Sequence, residues 1–118
     1  MEIVEVAQRR VLPRYNIRIP IRFRSVGLAT NGIEHRTETL NISRRGLFFA
    51  SHAELRVGMP IELSLRMPRE VTGLETVDAR CFGRVVHARM GMFADGRSGY
   101  GIEIEKFTSP AYAEKWAR

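Results

Sequence analysis

Apolar and polar residues alternate along most of this chain. Ile17, Ile19, Ile21 and Phe23 are interleaved with Arg18, Pro20, Arg22 and Arg24. That is the period of a strand with one face buried and one face wet. Pro20 cannot donate to a ladder, so this first strand is expected at a sheet edge or interrupted there. Asn31-Gly32 signals a turn. A second strand is expected from about His35 to Ile42, and a third over Gly46, Leu47, Phe48, Phe49 and Ala50. Val57-Gly58-Met59-Pro60 turns the chain into a fourth, with Ile61, Leu63, Leu65 and Met67 in phase. A long fifth strand follows, from about Thr76 to Met90. Its apolar phase passes from Val77, Ala79 and Cys81 to Val86, Ala88 and Met90, which predicts a β-bulge near Gly83. The run Gly91 to Gly99 reads as a hairpin connection into a last strand with Tyr100, Ile102 and Ile104 on one face.

Six short strands joined by tight turns predict an all-β fold, a six-stranded antiparallel β-barrel that closes its own edges. The period changes at the end of the chain. Ser109 suits a cap, Pro110 a first helical position, and Tyr112 and Trp116 lie four apart. A short C-terminal helix over 109–118 is therefore expected to pack on the barrel, its aromatic pair serving as packing or as a docking surface. The organisation expected is one domain over 1–118: an N-terminal arm at 1–16, the barrel at 17–107, then the helix.

Composition narrows the class. The 118 residues suffice for one core, and 44% apolar with 27% charged residues is a globular balance. No apolar run approaches a membrane-spanning length, and the acidic N-terminus does not read as a secretory signal. Cys81 is the only cysteine, so a disulfide framework is excluded and a cytoplasmic location is expected. Its place in an alternating apolar run makes it a buried small hydrophobe.

Charge changes the picture more than size does. Of 19 basic residues only Lys106 and Lys115 are lysines, leaving 17 arginines within a net charge of +6. The guanidinium fork meets phosphate or carboxylate through two parallel hydrogen bonds and stacks on flat rings. An anionic, partly aromatic partner such as a nucleotide fits that chemistry. A general arginine bias would account for the number of arginines but not for their placement.

Two stretches concentrate that chemistry. Arg9-Arg10-Val11-Leu12-Pro13-Arg14 precedes the first strand, and Pro13 keeps it extended or turning. Asn41-Ile42-Ser43-Arg44-Arg45-Gly46 joins the second and third strands. Alternation sends Leu40 and Ile42 into the core and Asn41 and Ser43 outward as a hydrogen-bonding patch. Gly46 permits a tight turn with backbone close to a ligand. The pair of stretches resembles the signature of PilZ domains, an Arg-x-x-x-Arg arm plus an Asp/Asn-x-Ser-x-x-Gly turn. The resemblance runs on through Tyr100-Gly101-Ile102-Glu103-Ile104. It implies a receptor for cyclic di-GMP and not an enzyme, needing no cofactor and acting through an unidentified protein effector. Arg10 and Arg14 would grip phosphates and guanine faces, Asn41 and Ser43 a guanine edge, and Gly46 would shape the turn. Arg9, just before the first motif arginine, is associated in the family with an intercalated ligand pair, which implies two ligands per domain.

Nothing else in the chain competes. His35, His52 and His87 lack metal-ligand spacing and read as ordinary surface or core residues. Ser43 has no His and acid in a nucleophile pattern, and no Gly-Lys-Ser/Thr follows Gly91 to Gly96. Two alternatives stand beside the receptor reading. One is a basic barrel for nucleic acid, disfavoured because few aromatics cluster on one face. The other is a PilZ-like module for protein contacts alone. Membrane insertion is not expected.

Overall fold

The computed structural model describes residues 14–26, 32–69, 73 and 77–107. Six strands form: β1 (Pro20–Ser25), β2 (His35–Ile42), β3 (Gly46–Ser51), β4 (Pro60–Met67), β5 (Val77–Arg89) and β6 (Ser98–Phe107). They close into an antiparallel barrel in the order β1-β2-β3-β6-β5-β4, with β4 paired back onto β1. The C-terminal helix expected over 109–118 lies outside the described residues.

Closure disposes of the problem posed by Pro20. A closed barrel has no edge, and Pro20 instead stands first in β1, opposite Glu38, where a missing N–H interrupts no interior ladder. The inward residues are those the alternation selects: Ile19, Ile21 and Phe23, Leu47 and Phe49, Ile61, Leu63, Leu65 and Met67, Tyr100 and Ile102. Phe23 meets Phe49 with ring centroids 4.7 Å apart, and Phe49 meets Tyr100 at 6.0 Å. Tyr100 brings a hydroxyl into this core. It donates to the Ala53 carbonyl at 2.7 Å and accepts from the Leu55 N–H at 3.2 Å, so the group is satisfied.

Two departures from strict alternation matter. In β2 the pairing shifts between Thr39, opposite Phe49, and Asn41, opposite Phe48, which makes Leu40 the extra residue of a bulge. Thr39, not Leu40, takes the core position. It is fully buried and Leu40 only partly so. The Thr39 hydroxyl donates to the Ile17 carbonyl at 2.6 Å and accepts the Ile19 N–H at 2.9 Å, fastening the segment before β1 to β2. In β5 the odd-numbered residues stay inward through Val85, beyond the Gly83 shift read from sequence. The extra residue on β5 is Val86, between Val85 opposite Ile102 and His87 opposite Gly101. The shift at Gly83 is real, but its extra residue, Glu105, is on β6. Gly83 answers to a different demand: a Cβ there would sit 2.5 Å from the Glu103 carbonyl oxygen.

Two predictions follow from this core. Thr39→Val keeps the shape but strands the buried Ile19 N–H, and should lower stability by about 1–3 kcal/mol in urea unfolding. Cys81 is fully buried. Burial, reinforced by the Glu62 charge, pushes its thiol from an ordinary 9.0 up to about 12. Folded protein keeps this proton at pH values where unfolded protein has lost it. Stability from this group is thus present below about 9 and declines as pH rises toward about 12. The urea midpoint should fall over that range, less steeply in Cys81→Ala, and a thiol reagent at neutral pH should modify Cys81 only after unfolding.

Candidate functional site

The entry segment runs alongside the end of β2. Tyr15 and Ile42 exchange two backbone hydrogen bonds, Tyr15 N–H to Ile42 at 2.8 Å and Ile42 N–H to Tyr15 at 2.9 Å. With the Thr39 clamp this leaves little freedom in where Arg14 emerges. It emerges beside Asn41: Arg14 Nη1 donates to Asn41 Oδ1 at 3.0 Å. Residues 27 apart in sequence, one from each motif, thus meet on the barrel exterior. Arg9 and Arg10 lie outside the described residues.

The second motif is a turn pinned from both sides. The Ser43 N–H donates to the Gly46 carbonyl at 2.8 Å. The Arg45 N–H donates to Ser43 Oγ at 3.3 Å, and Ser43 Oγ reaches the Gly46 carbonyl at 3.4 Å. On the other flank the Arg45 carbonyl accepts the Ile104 N–H at 2.7 Å. Gly46 passes so close to β6 that a Cβ would overlap the Ile102 carbonyl. The turn therefore rests on glycine for room, and it holds Arg44 and Arg45 out in solvent.

Ser43 itself is not on the outer face. It is 3% exposed, against the expectation that it shares an open surface with Asn41. Strand alternation stops at Ile42, where β2 ends, and the turn folds the Ser43 hydroxyl inward onto its own backbone. Asn41 is half-buried with its amide on the exterior beside Arg14.

Beyond these residues lies a surface concavity of about 540 Å³. Arg14, Asn41, Arg45, Phe48, His87 and the Gly101 backbone line it. The volume falls within the roughly 300–1,000 Å³ of small-molecule sites. Among the described residues, Glu103 is the one acid lining it. The site therefore offers guanidinium forks for phosphate, an amide for a base edge, and ring surfaces for a flat group. His87 escaped the sequence reading. The bulge at Val86 turns both residues outward, and Gly101 leaves room for the imidazole, its missing Cβ falling 3.3 Å from that ring. Only a bulge placed at Val86 rather than Gly83 would have revealed it. Among the described residues, no group of three His, Cys, Asp or Glu side chains could hold a metal ion.

The PilZ domain family model matches residues 8–114. Among solved structures, the chain is similar to the inhibitor of motility MotI/DgrA of Bacillus subtilis, with 18% identity and a TM-score of 0.67. The match covers 93% of this chain and 47% of that one, so this chain spans about half its length. No curated protein matches.

Gly46→Ala tests the turn. The added methyl must push β3 from β6, and a stability loss of roughly 2 kcal/mol or more is expected in denaturant unfolding, at the upper end of ordinary single substitutions. Ser43→Ala, which removes only two long hydrogen bonds, should cost about 1 kcal/mol or less.

Proposed function

This chain belongs to the PilZ domain family, and on that premise we propose that it is a cyclic di-GMP receptor whose arm residues Arg9, Arg10 and Arg14 close over the face carrying Asn41. PilZ domains are regulatory binding modules, in general receptors for this messenger, and not enzymes. The observation that carries the reading is the 3.0 Å hydrogen bond from Arg14 to Asn41 at the mouth of the concavity. Both halves of the signature supply a group to one place.

In this reading the ligand competes for two partners already held together. A phosphate takes the Arg14 guanidinium and a guanine edge takes the Asn41 amide. Arg10 adds a second fork, and Ser43 and Gly46 keep the turn in shape. A charge-assisted hydrogen bond contributes roughly 1.5–3 kcal/mol. Micromolar affinity needs about 8 kcal/mol. Arginine contacts alone fall short, so guanine stacking on guanidinium planes and ring surfaces supplies the remainder. Ordering of the arm changes the surface shown to an effector protein, a switch that requires no chemistry.

Calorimetric titration with cyclic di-GMP is the test. Wild type is expected to bind at micromolar ligand or tighter. Arg10→Ala and Arg14→Ala should each weaken binding roughly 10- to 150-fold. Wild type silent at micromolar ligand rejects the reading. Arg9 further implies a stoichiometry of two ligands per domain, and a clean one-to-one titration removes that part alone.

A further inference from the structure

Glu103 is a residue that a site built for phosphate alone would not carry. It lines the same concavity as Arg14 and Arg45, the one acid among the described residues to do so. Its exposed carboxylate holds no ion pair or hydrogen bond among the described residues, with those two arginines or any other. Arg84 stands directly opposite it on β5 but turns elsewhere, to Glu105 at 3.2 Å and to the Gly58 carbonyl at 2.6 Å. The carboxylate is therefore left to whatever enters the concavity.

Register shows how the wall around it is cleared. Gly46 of β3 stands directly opposite Glu103. Gly101 lies two residues before it, on the same face of β6. Ile102 between them points into the core. Of the β6 residues at the concavity, Gly101, Ile102 and Glu103, only Glu103 sends a side chain outward. Gly46 has no room for a Cβ, which would overlap the Ile102 carbonyl, and Gly101 is overlain by the His87 ring. Phe48 and His87 flank Gly101 from β3 and β5. Glu103 thus stands beside bare backbone, with ring surfaces one position along the strand.

An ionised carboxylate only accepts hydrogen bonds. Beside a phosphate it is a liability, because like charges repel. It becomes an asset when one ligand brings an anion for the arginines and a pair of N–H donors for the acid. Guanine has that pair: N1–H and the 2-amino group lie side by side and match the two oxygens of a carboxylate. Adenine presents N1 at the same place as an acceptor, lone pair against lone pair. We propose that Glu103 is a specificity-determining residue of this site, accepting the N1–H and 2-amino donors of a guanine and so selecting it over other bases. The inference rests on the receptor reading and adds to it a contact outside both motifs. Asn41 does not supply the same discrimination, since its amide offers donors and an acceptor and suits more than one base edge. Glu103 has no donor to offer, and a base without the paired donors leaves it unanswered.

The test titrates the full chain with cyclic di-GMP and with cyclic di-IMP, whose bases lack only the 2-amino group. Glu103→Gln and Glu103→Ala are compared with Glu105→Ala, which removes the same charge two residues along the strand and outside the concavity. Wild type is expected to prefer cyclic di-GMP by about tenfold or more. Both Glu103 variants should bind cyclic di-GMP about tenfold or more weakly and show a preference of about threefold or less, whereas Glu105→Ala should change neither by more than about twofold. The sign of the effect decides. If Glu103 merely opposes the phosphates, its removal tightens both ligands, and that result overturns the proposal. An unchanged preference in the Glu103 variants overturns it too. Wild type and Glu103→Ala binding cyclic di-GMP equally well removes this contact and leaves the receptor reading standing, and wild type that binds neither ligand removes both.

Discussion

The Thr39 hydroxyl is the contact on which the geometry of this molecule turns. It is a polar group with no exposure, and it repays its burial by serving two backbone groups of the segment before β1. Without it, Ile17 and Ile19 would approach the barrel with unsatisfied amides. With it, Ile19 joins the core, Pro20 can head β1, and Tyr15 lies against Ile42. Arg14 then reaches Asn41 as a consequence of backbone pairing, not of attraction between two exposed side chains, which is worth little on a wet surface. The bulge at Leu40 belongs to the same device. It lets Thr39 face in and Asn41 face out within three residues, where plain alternation would send both the same way.

Much of this fold was legible in its sequence. The alternating runs at Ile61 to Met67 and Tyr100 to Ile102 read directly as strands because a barrel wall has one dry face and one wet face. The paired motifs were legible for a different reason: their residue types are the ones that phosphate and base recognition require. Bulges were harder. Leu40 looks like core and is the extra residue; Val86 looks like core and is 38% exposed. A bulge flips facing without changing composition, so a period count detects a phase change but not which residue absorbs it. Gly83 drew attention as the tolerant residue, but its glycine serves the close approach of β6. Ser43 departs from the strand pattern because periodicity ends at Ile42 and local hydrogen bonds in the turn decide its direction.

The arginines sort into two kinds once register is known. Arg24, Arg66, Arg84 and Arg97 each meet a carboxylate within 3.2 Å, and such exposed pairs contribute little to stability. They serve solubility and local order. Arg14 and Arg45 are positioned by the backbone around one concavity, and Arg22 and Arg36 stand opposite each other on β1 and β2, Arg36 also reaching Glu34 at 3.5 Å.

The two groups differ in what surrounds them. Around Arg14 the wall supplies an amide, an imidazole, a phenyl ring and a glycine backbone, which together can grip a small, flat, phosphorylated molecule from several directions. Around Arg22 the wall supplies a serine, further guanidiniums and three carboxylates in a shallow row across four strands. That row has length but no enclosure. β1 and β2 carry both groups, for Arg14 leads into β1 and Asn41 is the penultimate residue of β2, while Arg22 and Arg36 stand directly opposite each other across the pair. Arg14 and Asn41 are therefore held by the same strand pair that sets the spacing of Arg22 and Arg36, and backbone hydrogen bonds fix that pairing within a closed barrel.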